Sequence, residues 1–247
     1  MLRHWQLDRD PFVGPTPPYV PIPAHDEAVA RLVDAVETGQ RRIRLVAPAG
    51  CGKSMVLDRA LSRLRGPRLR VAKVSRPVDG PSMVAEMAAA LGVPAGLIST
   101  RVEAWRALAD ACKLCRAQGI GVVLAVDEAD RLAEDADRRD LEHLDHVDHH
   151  PSARLTVLRV GRRETGWSTV VSLPRLTRSE ADEYLEAKLR AAGRVDRVYT
   201  PRAVARLHAL ARGVTRDLDR LASRALWEGR ARDLRILGPE VIDLVAL

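Results

Sequence analysis

One stretch limits the folds open to this chain more than any other. Ile43–Val46 is a short apolar run of strand length, and Ala47–Gly52 is a loop of small residues. From Lys53, Leu57, Leu61 and Leu64 recur at helical spacing until Gly66-Pro67. Strand, small-residue loop and helix is the setting of a phosphate-binding loop. The loop reads Ala47-Pro48-Ala49-Gly50-Cys51-Gly52-Lys53-Ser54, followed by Met55, against the pattern G-x-x-x-x-G-K-[ST]. Small residues let backbone N–H groups close around phosphate oxygens at a helix N-terminus. In this reading Lys53 reaches the β- and γ-phosphates and the Ser54 hydroxyl ligates Mg²⁺. Residues 47–55 are therefore the expected nucleotide contacts, and ATP with Mg²⁺ the expected ligands. Ala47 stands where the pattern has its first glycine. Alanine costs little there at negative φ and more at positive φ.

A second element lies roughly 75 residues further on, with strand and helix material between. Val122-Val123-Leu124-Ala125-Val126 is a continuous apolar run, the mark of a central parallel strand, and it ends in Asp127-Glu128. Asp127 is placed to hold Mg²⁺, often through water. Glu128 is placed to polarise an attacking water as general base. Asp127-Glu128-Ala129-Asp130 also spells a helicase box, but such an enzyme needs a second nucleotide-fold domain. The chain after residue 175 reads as helices only.

The rest of the chain fits one α/β part and one helical part. Residues 8–24 are proline-rich and read as an extended lead-in. A helix is predicted from His25 to Gly39, a strand over Leu69–Ser75 and a helix over Pro81–Leu91. Thr100 and Glu103 form a capping box before a helix ending near Gly119. A charged helix is predicted over Asp137–His149, and strands over Leu155–Val160 and Thr169–Leu173. After Pro174, helices start at the Thr177–Glu180 capping box, at Thr200-Pro201, at Thr215 as a cap and at Gly238-Pro239. The expected fold is α/β, a parallel sheet flanked by helices over residues 1–175, with an all-helical lid over 176–247 and the nucleotide between them.

Composition narrows the partners. The net charge of +7 favours anions, against 33 interspersed acidic residues. Three cysteines are too few and too odd for a disulfide framework, which favours a reducing compartment. The N-terminus lacks the apolar stretch of a signal peptide, and no apolar run approaches the ~20 residues of a spanning helix. The expectation is a cytoplasmic protein with no integral membrane segment. His143, His146 and His150 would share a helical face, an imaginable metal site that nothing else in the sequence completes. Cys112 and Cys115 read as packing residues inside a helix, and Cys51 as a small residue that fits the loop.

These motifs together carry a family resemblance. Trp5-Gln6-Leu7-Asp8-Arg9-Asp10-Pro11-Phe12, the phosphate loop and Asp127-Glu128-Ala129 resemble the ATPase domain of general secretion pathway protein A, the ExeA type. Pro174-Arg175-Leu176-Thr177, Leu189-Arg190-Ala191-Ala192-Gly193 and Gly213-Val214-Thr215-Arg216-Asp217-Leu218 are similar to that family's helical segments. The resemblance implies an AAA+ P-loop NTPase that hydrolyses ATP and works as a homo-oligomer on a protein or envelope partner. Related ATPases select targets in transposition, which leaves DNA as the alternative partner. It also implies a sensor role for Arg216, reaching the γ-phosphate with a forked guanidinium. Arg162 stands where the family usually has a neutral polar residue at the end of a sensor strand, a departure that implies either a phosphate contact from Arg162 or altered hydrolysis. Arg138, Arg139, Arg154 and Arg163 are all candidates for an arginine finger.

Overall fold

The structure, a computed structural model, describes residues 1–14, 19–132, 134–162 and 169–246. In chain order the elements are α1 (Leu2–Trp5), α2 (Pro23–Glu37), β1 (Arg42–Val46), α3 (Lys53–Leu64), β2 (Leu69–Ser75), α4 (Gly80–Ala90), α5 (Arg101–Ala117) and β3 (Gly121–Asp127). They continue with α6 (Asp135–His143), β4 (Leu155–Gly161), β5 (Thr169–Ser172), α7 (Arg178–Ala191), α8 (Pro201–Ala211), α9 (Thr215–Ala231) and α10 (Pro239–Val245). The five strands form one parallel sheet in the order β2-β3-β4-β1-β5. Every residue of β3 and β4 is buried; β3 reads as an unbroken apolar run for that reason, whereas β4 also buries Thr156 and Arg159.

The chain divides into two compact units. One holds Ala28–Ala47 and Lys53–Ser172, the sheet with its helices. Its core includes Val74, Met83, Met87, Leu108, Leu124, Val126 and Val157, all at most 1% exposed. Both cysteines of α5 belong to this core, and burial pushes the Cys112 thiol up to about 12. α5 starts as predicted: the Thr100 hydroxyl accepts from Glu103 N (3.2 Å), and Glu103 accepts from Thr100 N (2.9 Å).

The charged helix is shorter than expected. α6 ends at His143 and gives way to a 3₁₀ turn over Leu144–His146. Asp140 is fully buried and accepts from Arg101 (2.6 Å) and Trp105 Nε1 (3.0 Å). The tighter winding then carries Asp145 inward, 3.0 Å from buried Arg159 of β4. The histidines consequently share no single helical face. Among the described residues no group of three or more His, Cys, Asp or Glu is arranged to hold a metal ion.

The other unit holds Met1–Glu27, Pro48–Gly52 and Leu173–Leu247. In this unit the lead-in packs with the C-terminal helices. Trp5, Leu7, Phe12, Val20 and Ile22 share one core with Leu176, Tyr184, Leu207, Leu218 and Leu226. The Trp5 indole donates to Leu226 O (2.9 Å), so the ring is buried with its polar atom satisfied. Lys188, 1% exposed, lies 3.2 Å from Asp219, which also accepts from the Tyr184 hydroxyl (3.0 Å). The second capping box forms: Thr177 accepts from Glu180 N (3.2 Å) and returns its N–H to the Glu180 carboxylate (2.8 Å). Thr200 caps α8 through Ala203 N (3.1 Å). Thr215 departs from its expected role. Val214 occupies the cap position of α9, and the Thr215 hydroxyl donates instead to Gly50 O.

Candidate nucleotide-binding site

β1 ends at Val46, the loop follows, and Lys53 is the first residue of the twelve-residue helix α3. The first-turn N–H groups of a helix have no partner within the helix, so α3 opens on orphan donors. Gly50 and Gly52 take φ of +84° and +87°, the left-handed region that other residues resist. Space is also short for a side chain at each. A Cβ on Gly50 would lie 2.8 Å from Val214 Cγ1 and 3.0 Å from Arg216 Cβ, and one on Gly52 would lie 3.0 Å from His25 Cε1. Ala47 is not among the residues at positive φ, so the missing first glycine strains nothing. It is buried, its N–H bonds Gly161 O (3.3 Å), and its carbonyl accepts from Lys53 Nζ (2.8 Å). Cys51 is buried in the loop, 1% exposed. A chain of small residues with two left-handed glycines, leading into orphan helix donors beside a lysine, fits a phosphate chain. Ser54, in the first turn of α3, and Asp127 are the oxygen donors suited to Mg²⁺.

The acids sit at the C-terminal edge of the same sheet. Register places Val46 beside Gly161 and Val126 beside Arg159, so the ends of β1 and β3 flank the end of β4. Asp127 is buried and accepts from Glu128 N (2.9 Å). Glu128 has left the strand with φ +55° and is partly exposed. Its carboxylate lies 3.7 Å from Arg76 Nε and 3.4 Å from Arg131. Arg76, at φ +56° just past β2, was not singled out by the sequence, since nothing local marks it as a neighbour of Glu128. Asp130 holds three groups: Arg162 N (2.6 Å), Arg162 Nε (3.5 Å) and Arg44 (3.7 Å). The fourth letter of the helicase box is thus an internal anchor, and Arg162 is tied to it. Arg138, Arg139 and Arg154 are exposed; Arg163 lies outside the described residues.

The first turn of α9 is fastened to the loop. Arg216 N donates to Gly50 O (3.0 Å), the carbonyl that also accepts the Thr215 hydroxyl. The Arg216 side chain is exposed. His25 was missed as well. It is 1% exposed, its ring lies against Gly52, and neither nitrogen reaches hydrogen-bond geometry with a described atom. Burial holds its pKa below the ordinary histidine value, opposed by the Cys51 backbone, Glu180 and Asp26. The signal that could have found it is weak: a histidine on the turn before the predicted core stripe of α2.

The comparisons with known proteins agree with this geometry. A family model described as an AAA domain matches residues 36–165. The chain belongs to that family, and its parallel sheet with C-terminal helices is a P-loop AAA+ fold. It is similar to the ORC1 protein of Aeropyrum pernix in complex with DNA, at 17% identity and a TM-score of 0.74, over 92% of this chain and 65% of that one. It is similar to Cdc6p from Pyrobaculum aerophilum at 17% identity and 0.71, over 93% and 69%. Drosophila ORC bound to DNA matches at 15% identity and 0.76, over 99% and 65%. The chain spans just under two thirds of the Aeropyrum and Drosophila chains, and identities this low show a shared fold. No curated protein matches.

Proposed function

We propose that this chain is a Mg·ATP-dependent ATPase that switches the conformation or assembly of a partner complex. The observation that carries the reading is the shared sheet edge: the Lys53–Ser54 helix start after β1 and Asp127-Glu128 after β3, on either side of β4. The nucleotide supplies the phosphoanhydride, and the chain supplies position and charge. Residues 47–55 hold the phosphates through backbone N–H groups, and Lys53 neutralises charge on them. Ser54 and Asp127 hold the metal. Glu128 orients water and takes its proton. Arg216 reads the γ-phosphate through a directional guanidinium fork and transmits it along α9. AAA+ proteins of this kind work as homo-oligomers, and one of Arg138, Arg139, Arg154 or Arg163 serves as a finger to a neighbour. The protein works in the cytoplasm; no described helix is long and apolar enough to cross a membrane.

Two partner classes follow from two observations. The secretion resemblance favours a protein or envelope partner. The fold relatives solved with DNA, together with a net charge of +7, favour a DNA-binding ATPase; the sequence resemblance suggests the transposition target-selection kind. The test is ATP turnover by the purified chain, with and without duplex DNA, beside Lys53→Ala and Glu128→Gln. DNA-stimulated turnover that both substitutions abolish selects the DNA reading, and turnover indifferent to DNA selects the protein partner. ATP binding with turnover no faster than Glu128→Gln in either condition overturns hydrolysis and leaves a nucleotide-gated scaffold.

A further inference from the structure

We propose that the outer edge of β2, with the groove beside it, binds an extended acidic peptide segment as an added strand. This surface lies wholly within the sheet unit and does not depend on the nucleotide reading.

Among the described residues β2 is an edge strand, paired with β3 alone. Arg68 O accepts from Gly121 N (2.9 Å), which sets the phase of the parallel ladder. Arg70, Ala72 and Val74 therefore turn their backbone groups to β3, and Leu69, Val71 and Lys73 turn theirs outward. Leu69 N returns to Gly66 O (3.2 Å). The N–H groups of Val71 and Lys73 meet no acceptor among the described residues. These outward groups repeat at the spacing a second strand would match.

The edge carries Arg70 and Lys73 but is not otherwise blunted. Its pairing with β3 runs unbroken over seven residues, without a bulge or a proline. An edge lysine protects by standing free, but Lys73 is folded onto Asp58 at 2.5 Å. Beside the edge runs a groove of about 580 Å³, lined by Asp58, Leu61, Arg65, Arg70, Lys73 and Ala90 among others. That volume is in the range of real ligand sites.

Charge selects the occupant. Three cations face one carboxylate, and that carboxylate is already paired with Lys73. Arg65 and Arg70 are exposed and carry no ion pair among the described residues. Arg65 directly follows α3. Arg70 shares its side of β2 with Ala72 and Val74, which pack toward α4. Side chains of an added strand alternate between the two sides of the sheet. Two consecutive acidic residues would then meet one arginine each, while the backbone bonds Val71 and Lys73. A nucleic acid could meet the arginines but has no alternating donors and acceptors for the strand.

The test uses the full chain and a fluorescein-labelled peptide with a Glu-Glu pair flanked by valine and threonine. Hydrogen exchange read residue by residue comes first. The amides of Val71 and Lys73 exchange fast in the free chain and at least tenfold more slowly with peptide. Val71→Pro removes one outward donor at a position where an edge strand accepts proline, and it weakens peptide binding tenfold or more. Arg65→Glu with Arg70→Glu does the same while ATP affinity and the melting curve stay unchanged. That double variant and wild-type exchange decide the matter if Val71→Pro fails to fold. The proposal is overturned if both amides are protected in the free chain, if the arginine reversals leave peptide affinity intact, or if duplex DNA displaces the peptide and protects neither amide.

Discussion

At His25 an ionisable ring has been taken out of water and set against the φ +87° glycine of the phosphate loop. Burial is the largest influence on it and favours the neutral form. Its folded pKa lies below the unfolded value near 6.5, so between the two the unfolded chain binds more protons and stability rises with pH. Stability from this group is complete above about pH 6.5 and is lost as pH falls toward the folded pKa. Urea unfolding at pH 7.5, 6.5 and 5.5 should therefore show wild type losing more stability on acidification than His25→Gln. Parallel curves would mean that the ring is already protonated or solvated. Asp219 behaves in the opposite sense: burial outweighs Lys188 and Tyr184 and raises its pKa, so its contribution to stability falls as pH rises. The same scale explains why Thr215 misled a reading by pattern. A threonine at a helix start normally bonds the helix's own N–H groups, but here a carbonyl more than 160 residues away in sequence, Gly50 O, takes its hydroxyl.

The elements differ in how far their reasons extend along the chain. The starts of α5 and α7 were legible to the residue, because both halves of a capping box lie three positions apart. β3 was legible as an apolar run, because burial on both faces removes alternation. The lead-in was legible only as non-helical. Its anchors, Trp5 on Leu226 O and Phe12 against Tyr199 at 6.5 Å, join residues some two hundred positions apart. α1 was not anticipated at all; four residues carry too little periodicity to read. Trp5→Ala should cost about 3–5 kcal/mol of unfolding free energy, through lost burial and the cavity left behind. Chemical denaturation monitored by circular dichroism measures it. A loss below about 1 kcal/mol would show that the lead-in detaches readily from the helices.

For the whole molecule, ligand linkage offers a measurement independent of turnover. A ligand bound only by the folded chain stabilises it by about 2.7 kcal/mol at a hundred times its dissociation constant. Mg·ATP should therefore raise the melting temperature of wild type and of Glu128→Gln alike, since Glu128 acts on water rather than on binding. Lys53→Ala should abolish most of the rise. An equal rise in Lys53→Ala would place the nucleotide elsewhere and sink the assignment of residues 47–55. At this scale residues 1–27 share a core with 173–247, a grouping that composition did not suggest.

Sequence alone determined the class of this protein, because the residues that define it are contiguous. A strand, a small-residue loop and Gly-Lys-Ser specify a phosphate cradle through local backbone geometry, and an apolar strand ending in Asp-Glu specifies an acid pair. Neither needs a distant partner to be recognised. Tertiary structure alone decided what those segments lean on: His25 beneath Gly52, α9 fastened to Gly50 O, Arg76 beside Glu128, Asp130 bound to Arg44 and Arg162. It also decided that β2 is left as an open edge. Each of these is a meeting of residues far apart in the chain, settled by which strands adjoin and which faces exclude water, and no local pattern encodes it.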